Sequence, residues 1–453
     1  MSDPLLLGGL ALTALVALIA IRLPIAYAMI AVGAGGIMWL NGPTLLLSQL
    51  KTLAYGQFSV YDLSIVPMFI LMGELATVAG LSQALFRGAN VWLGWMRGGT
   101  AMAAIAACAG FGAVCGSSLA TASTMGKVAL PELRKYNYSG ALATGTLAAG
   151  GVLGILIPPS VVLIVYAVIV EANIVTMFAA ALIPGLIAVL LFILTIALYV
   201  AIRPQAGPAG GAASRAEFIS ATLGLLPVTI IFGLVLGGIY GGLFNPTPAA
   251  AVGVVLVGGY GLVRGAIGWR NLTEALLATA RSSGMIFLIL LGAELMKIFM
   301  SRAGLPQQAA AWIADSGMSP LSVMVVILFA LILLGCLMDS LSMILLVIPF
   351  FWPMLLELNG GIYQTTAEGA GFAMSTDELK IWFGILALIV VELGLITPPV
   401  GMNVFIISSM ARDTPMIETF KGVLPFFMVE LLRVALLLAF PAITLFLPRL
   451  LAG

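Results

Sequence analysis

The 453-residue chain has no histidine, only three cysteines, and charged side chains at just 8% of its positions. Each shortage excludes something. Without histidine there is no HExxH zinc site, no Ser-His-Asp triad and no imidazole proton relay. Cys108, Cys115 and Cys336 all lie in apolar stretches, which argues against a disulfide framework. A soluble domain carries about 25% charged residues. Here 62% of residues are hydrophobic and mean hydropathy is +1.19, the composition of a polytopic membrane protein in a lipid bilayer. A net charge of +1 makes no case for a nucleic-acid partner. Gly126-Lys127 is followed by Val128 outside any GxxxxGK[ST] frame, so no ATPase motor is encoded. The opening Met1-Ser2-Asp3-Pro4 lacks the basic start of a signal peptide, and the first apolar run is expected to persist as a helix.

What is present is apolar sequence long enough to span a bilayer, which takes about 20 residues per helix. The runs 5–21, 24–41, 63–80, 140–170 and 177–202 qualify in the first half; 218–240, 247–263, 274–300, 381–410 and 423–448 qualify in the second. Two further apolar regions, 101–135 and 321–358, are cut near the middle by Ser and Asp-Ser clusters. They read as re-entrant hairpins that turn inside the membrane. The Gly- and Pro-rich segment 203–217 reads as a cytoplasmic linker between 1–202 and 218–453.

The interruptions come in pairs. Gly116-Ser117-Ser118-Leu119-Ala120 in the first half matches Met338-Asp339-Ser340-Leu341-Ser342 in the second. Gly154-Ile155-Leu156-Ile157-Pro158-Pro159-Ser160 matches Gly394-Leu395-Ile396-Thr397-Pro398-Pro399-Val400. Ala79-Gly80-Leu81 likewise matches Ala303-Gly304-Leu305, and the wider gap between the Pro-Pro pairs fits an insertion around Asn359–Asp377. Such residues free backbone polar groups that lipid cannot satisfy, and their repetition marks a secondary transporter with broken helices at its binding site. Basic residues set the orientation. Arg22, Arg87, Arg97, Arg134, Lys135, Arg203, Arg215, Arg264, Arg270, Arg412 and Lys421 fall on one side, against Lys51, Arg302, Lys380 and Arg449 on the other. The first side is then cytoplasmic and the N-terminus periplasmic. About five spans per half make the second copy inverted relative to the first.

At the hairpin tips Ser117-Ser118 and Asp339-Ser340 supply oxygens, and half-helix ends offer N–H groups to anions and carbonyls to small cations. Hard oxygen ligands suit Na+ better than a transition metal. The plainer alternative is that Pro-Pro only kinks a helix and serine only packs one helix on another. Asp339 has three open roles: Na+ ligand, N-cap of the following half-helix, or protonatable coupling group. Glu74 and Glu294 read as structural hydrogen-bonding residues of the paired halves, with no basic neighbour in the same short stretch, and Lys127 and Lys297 as snorkelling or paired. Asn403 suits a carboxylate or a Na+ shell, or the satisfaction of a broken helix. A channel, or an intramembrane enzyme using Asp339 or Ser117, are the competing classes; no base partners Ser117, and repeated broken helices favour alternating access.

These four motifs, in order and over essentially the whole chain, resemble the large membrane subunit (DctM-type M subunit) of the tripartite ATP-independent periplasmic (TRAP) transporters. The resemblance implies an all-α, elevator-type carrier of the ion-transporter superfamily, with scaffold and transport domains, in the bacterial inner membrane. It implies Na+-coupled uptake of an organic acid handed over by a periplasmic binding protein, a separate small four-helix membrane subunit, and no cofactor beyond Na+. One Na+ site would use Ser117, Ser118 and the backbone of Gly154, Ile157 and Pro159. Another would use Asp339, Ser340 and the backbone of Gly394, Thr397 and Val400. The substrate carboxylate would lie near Thr121, Ser160, Ser342 and Asn403. The chain departs from the family at Asn245-Pro246-Thr247-Pro248-Ala249, where Glu often replaces Pro248, and at the 359–377 insertion. The alternative within transport is a stand-alone Na+/H+ or anion carrier of the same superfamily.

Overall fold

The computed structural model describes residues 4–211 and 213–452, and among these no strand occurs. The first half comprises α1 (Pro4–Ala20), α2 (Ile25–Phe58), α3 (Ile65–Val78), α4 (Leu81–Leu93), α5 (Gly99–Cys115), α6 (Ser118–Lys135), α7 (Gly140–Leu156), α8 (Val161–Val170) and α9 (Ile174–Ile202). The second comprises α10 (Arg215–Tyr240), α11 (Pro246–Val263), α12 (Trp269–Ala303), α13 (Leu305–Asp315), α14 (Pro320–Gly335), α15 (Ser340–Asn359), α16 (Thr376–Gly394), α17 (Met402–Met410), α18 (Met416–Ala439) and α19 (Pro441–Ala452). Among the described residues, eight helices are long and apolar enough to cross a membrane, nine if α7 and α8, bent by 44°, count as one span.

The two halves follow one plan: hairpins α5–α6 and α14–α15, then broken helices α7–α8 and α16–α17, then long closing helices α9 and α18. They grip each other crosswise. The α2 helix packs along α12 while α11 packs along α3, and α8 rests on α15 while α17 rests on α6. Exchange of equivalent partners is what a twofold relation between copies produces.

Burial separates an inner set of helices from an outer one. From Leu142 to Leu156 in α7, and from Ile381 to Gly394 in α16, every residue is buried. These helices lack a polar face because no face meets water. On α9, by contrast, Leu186, Leu190, Leu194 and Leu198 are exposed at four-residue spacing, a stripe suited to lipid.

The structure departs from the hydropathy reading where helices are short or bent. The run 24–41 continues to Phe58 across a kink at Gly42 (φ 79°, ψ 172°), where Pro43 restarts the helix. The run 63–80 ends at Gly80 in the left-handed region, and α4 follows; Gly304 does the same before α13. These 13- and 11-residue helices are too short for a search tuned to spans. The linker is not free. Gly98 N–H donates to Gly207 O and Gly210 N–H to Gly94 O, both at 2.9 Å, and α10 already begins at Arg215 under a Ser214–Glu217 capping box. The 359–377 insertion folds on buried Asn359, which donates to Met374 O and accepts from Phe372 N, each at 3.1 Å.

Candidate functional site

Each hairpin turns on a cap. In the first, Gly116 is left-handed (φ 60°), Ser117 is extended, and the Ser117 hydroxyl accepts from Ala120 N–H at 3.4 Å. In the second, Asp339 is extended and its carboxylate accepts from Ser342 N–H at 3.1 Å. Ser117 and Asp339 are therefore equivalent N-caps, which explains why the carboxylate occurs in one copy only. Capping is one of the three roles open to Asp339, and its carboxylate fills it here.

The next residue in each hairpin makes the central contact. Ser118 and Ser340 each open a helix, and each hydroxyl donates to the carboxylate of Glu392, the first to Oε2 and the second to Oε1. Glu392 lies on α16 and is wholly buried. Sequence reasoning passed over it. Its only signal was an ionisable residue inside a span, and its partners are 274 and 52 residues away.

Both broken helices lie against their own hairpins without intervening side chains. Gly112 on α5 meets Gly154 on α7 backbone to backbone, and Gly335 on α14 meets Gly394 on α16 in the same way. Beyond Leu156 the chain is extended at Ile157, and Ser160 caps α8 by accepting from Leu163 N–H at 3.3 Å. The Pro158-Pro159 and Pro398-Pro399 bonds are both cis. Asn403 reaches across to the other copy, donating to Ala148 O at 3.4 Å, while its Oδ1 has no partner among the described residues.

A cavity of about 200 Å³ separates the two tips from α3 and α12. Ser117, Ser118, Asp339 and Ser340 line it from the tips, and Glu74 and Thr77 from α3 and Ser282 from α12. Among the described residues its lining contains two carboxylates and neither lysine nor arginine. The N-termini of α6 and α15 both reach it, so partial positive charge comes from backbone N–H groups rather than side chains. A larger cavity of about 690 Å³ lies beside the α8–α9 turn and includes Asp62, Glu171, Asn173, Glu294 and Lys297. Lys297 sits 3.6 Å from Glu171 and 3.8 Å from Glu294. Glu294 thus has a basic neighbour one turn on, contrary to the sequence reading, and Lys297 is paired as expected.

The family description "Tripartite ATP-independent periplasmic transporter, DctM component" matches residues 12–443. The chain belongs to this family. As a DctM-family protein it is a transporter permease, which removes the enzyme reading. It is 32% identical over 394 residues to the C4-dicarboxylate TRAP transporter large permease protein DctM of Pseudomonas aeruginosa, covering 86% of each chain. It is 30% identical to the sialic acid TRAP transporter large permease protein SiaM of Vibrio cholerae, covering 88% of each. In fold it is similar to the Alcanivorax borkumensis YdaH transporter, with a TM-score of 0.57, 15% identity and 88% of each chain covered.

In this DctM-family structure the first expected sodium group comes together: a side chain added at Gly154 would meet Ser117 O at 2.8 Å, and one at Gly116 would meet Pro159 O at 3.5 Å. Ile157 lies in the same broken segment. Of the second group, Asp339 and Ser340 line the tip cavity and Gly394 touches Gly335. Thr397 donates to Leu393 O at 2.6 Å within its own turn, and Val400 is exposed. Thr121, Ser160, Ser342 and Asn403 are buried behind the tips rather than along the cavity; the Thr121 hydroxyl pairs with Cys115 Sγ at 3.0 Å.

Proposed function

We infer that this permease carries out Na+-coupled uptake of an organic acid anion across the bacterial inner membrane. The solute is delivered by a periplasmic binding protein, and a small four-helix subunit completes the membrane complex. The observation that carries the reading is the tip cavity, in which an anion would face Glu74 and Asp339 with no basic side chain to offset them. Charge of that sign in a low-dielectric site is tolerated only with compensating cations. Sodium at the hairpin tips, held by the Ser117/Ser118/Gly154/Ile157/Pro159 and Asp339/Ser340/Gly394/Thr397/Val400 groups, supplies them. A solute anion then adds to a site that cations have already neutralised.

Alternating access by an elevator movement fits the contrast between the mostly buried helices α5, α7, α8 and α16 and the largely exposed α2 and α10. A C4-dicarboxylate is the substrate class to try first, because the Pseudomonas aeruginosa relative is named for it. The test is uptake of labelled C4-dicarboxylates into proteoliposomes holding the permease, its small subunit and the binding protein. Uptake should need an inward Na+ gradient and added binding protein. Equal uptake without the binding protein would instead make it a stand-alone carrier, and indifference to Na+ would refute the coupling.

A further inference from the structure

Glu392 breaks the symmetry of the two copies. When Gly154 is set against Gly394, the position corresponding to Glu392 is Val152, so one carboxylate serves both hairpins. Its two oxygens are divided between two serines that hold the same place, directly after the cap, in each tip. A carboxylate is an acceptor only, with two oxygens, whereas a serine hydroxyl has one proton and two lone pairs. A hydroxyl that gives its proton to Glu392 keeps both lone pairs for another partner. Its rotor is fixed as well, and charge assistance makes the bond strong.

Ser118 and Ser340 also line the tip cavity, each next to its cap. Motion of one tip that displaces its serine therefore changes the carboxylate on which the other depends. The two bonds share a rigid group on a helix that is buried from Ile381 to Gly394, so the strain has little room to dissipate.

We propose that Glu392 is a positioning residue that aims the Ser118 and Ser340 hydroxyls together and thereby makes cation binding at one hairpin depend on the other. This rests on the Na+-coupled reading above. Glu392 itself need not touch the ion or the solute.

The test is equilibrium binding of radioactive sodium to the full chain in lipid nanodiscs, with potassium holding ionic strength constant. The unaltered protein should bind with a Hill coefficient above one. Glu392→Gln keeps the shape but replaces one acceptor oxygen by an NH2 group that only donates, so the Hill coefficient should fall to one. Half-saturation should rise on the order of tenfold, the size expected for losing a charged hydrogen bond. Ser118→Ala and Ser340→Ala, made singly and together, supply a cycle that keeps Glu392 in place and decides the matter if Glu392→Gln does not fold. Non-additive effects on sodium affinity are expected. An unchanged Hill coefficient in Glu392→Gln, or strict additivity of the serine changes, overturns this proposal alone. No sodium binding by the unaltered protein overturns the sodium reading and the proposal with it.

Discussion

Gly112 and Gly154 lie so close that the first carbon of any side chain on Gly112 would occupy the space of the Gly154 Cα. The contact fixes the first hairpin against the first broken helix, and Gly335 with Gly394 repeats it in the second copy. Close backbone approach through small residues is how helices associate when lipid offers no hydrophobic incentive. Neither side chain nor solvent cushions it. Gly112→Ala should cost about 1–3 kcal/mol, as overpacking does, and should displace the Ser117 turn that α5 leads into. Thermal unfolding in detergent measures the first effect, and half-saturating sodium the second. Gly211, whose added carbon would meet nothing, is the control that should leave both unchanged.

Asp339 can be tested as cap and as charge separately. Asparagine caps a helix about as well as aspartate. Asp339→Asn should therefore keep the stability of the protein while raising half-saturating sodium on the order of tenfold, as for loss of a charged interaction. Asp339→Ala should lose both, with about 1 kcal/mol from the missing cap. Equal sodium affinity in Asp339→Asn and the unaltered protein would leave Asp339 as a cap and nothing more.

Arg433 and Glu430 pair on α18 with no exposure to solvent, and Arg433 also donates to Pro184 O on α9 at 3.0 Å. The pair ties α18 to α9, the equivalent closing helices of the two copies. Removing one member strands the other's charge, so Arg433→Met should cost about 3–5 kcal/mol. Adding Glu430→Leu should recover most of that loss, because the pair replaced whole is close to neutral. Expression level and unfolding midpoint of the three variants report the outcome.

Orientation has its own test. Tyr363 is 93% exposed on the 359–377 insertion and Trp269 is 83% exposed at the start of α12. The distribution of basic residues predicts that they face the periplasm and the cytoplasm respectively. The native cysteines are all buried, so background labelling is low. Tyr363→Cys should react with a membrane-impermeant maleimide in intact cells after outer-membrane permeabilisation. Trp269→Cys should react only after lysis. The reverse pattern would invert the topology.

Much of the architecture was legible before any coordinates, for a physical reason. Lipid penalises every unsatisfied backbone group, so Ser117-Ser118, Asp339-Ser340 and the two Pro-Pro pairs stood out against their apolar surroundings. The regions 101–135 and 321–358 each hold a helix pair, α5–α6 and α14–α15, with ends shifted by a residue or two. What escaped was short or relational. Helix α4 is 13 residues long and α13 is 11, below the length that hydropathy detects.

The amino-acid sequence alone determined that the chain lives in a membrane, that it repeats itself, and where its helices break, because each of these is set by local composition. Only the tertiary structure decided that Asp339 caps α15, that Lys297 reaches both Glu171 and Glu294, and that Glu392 receives both hairpin serines. Those are pairings between residues that the chain carries far apart or leaves with several possible partners. A carboxylate in an apolar run declares that it must be satisfied. Which hydroxyls satisfy it depends on which helices meet.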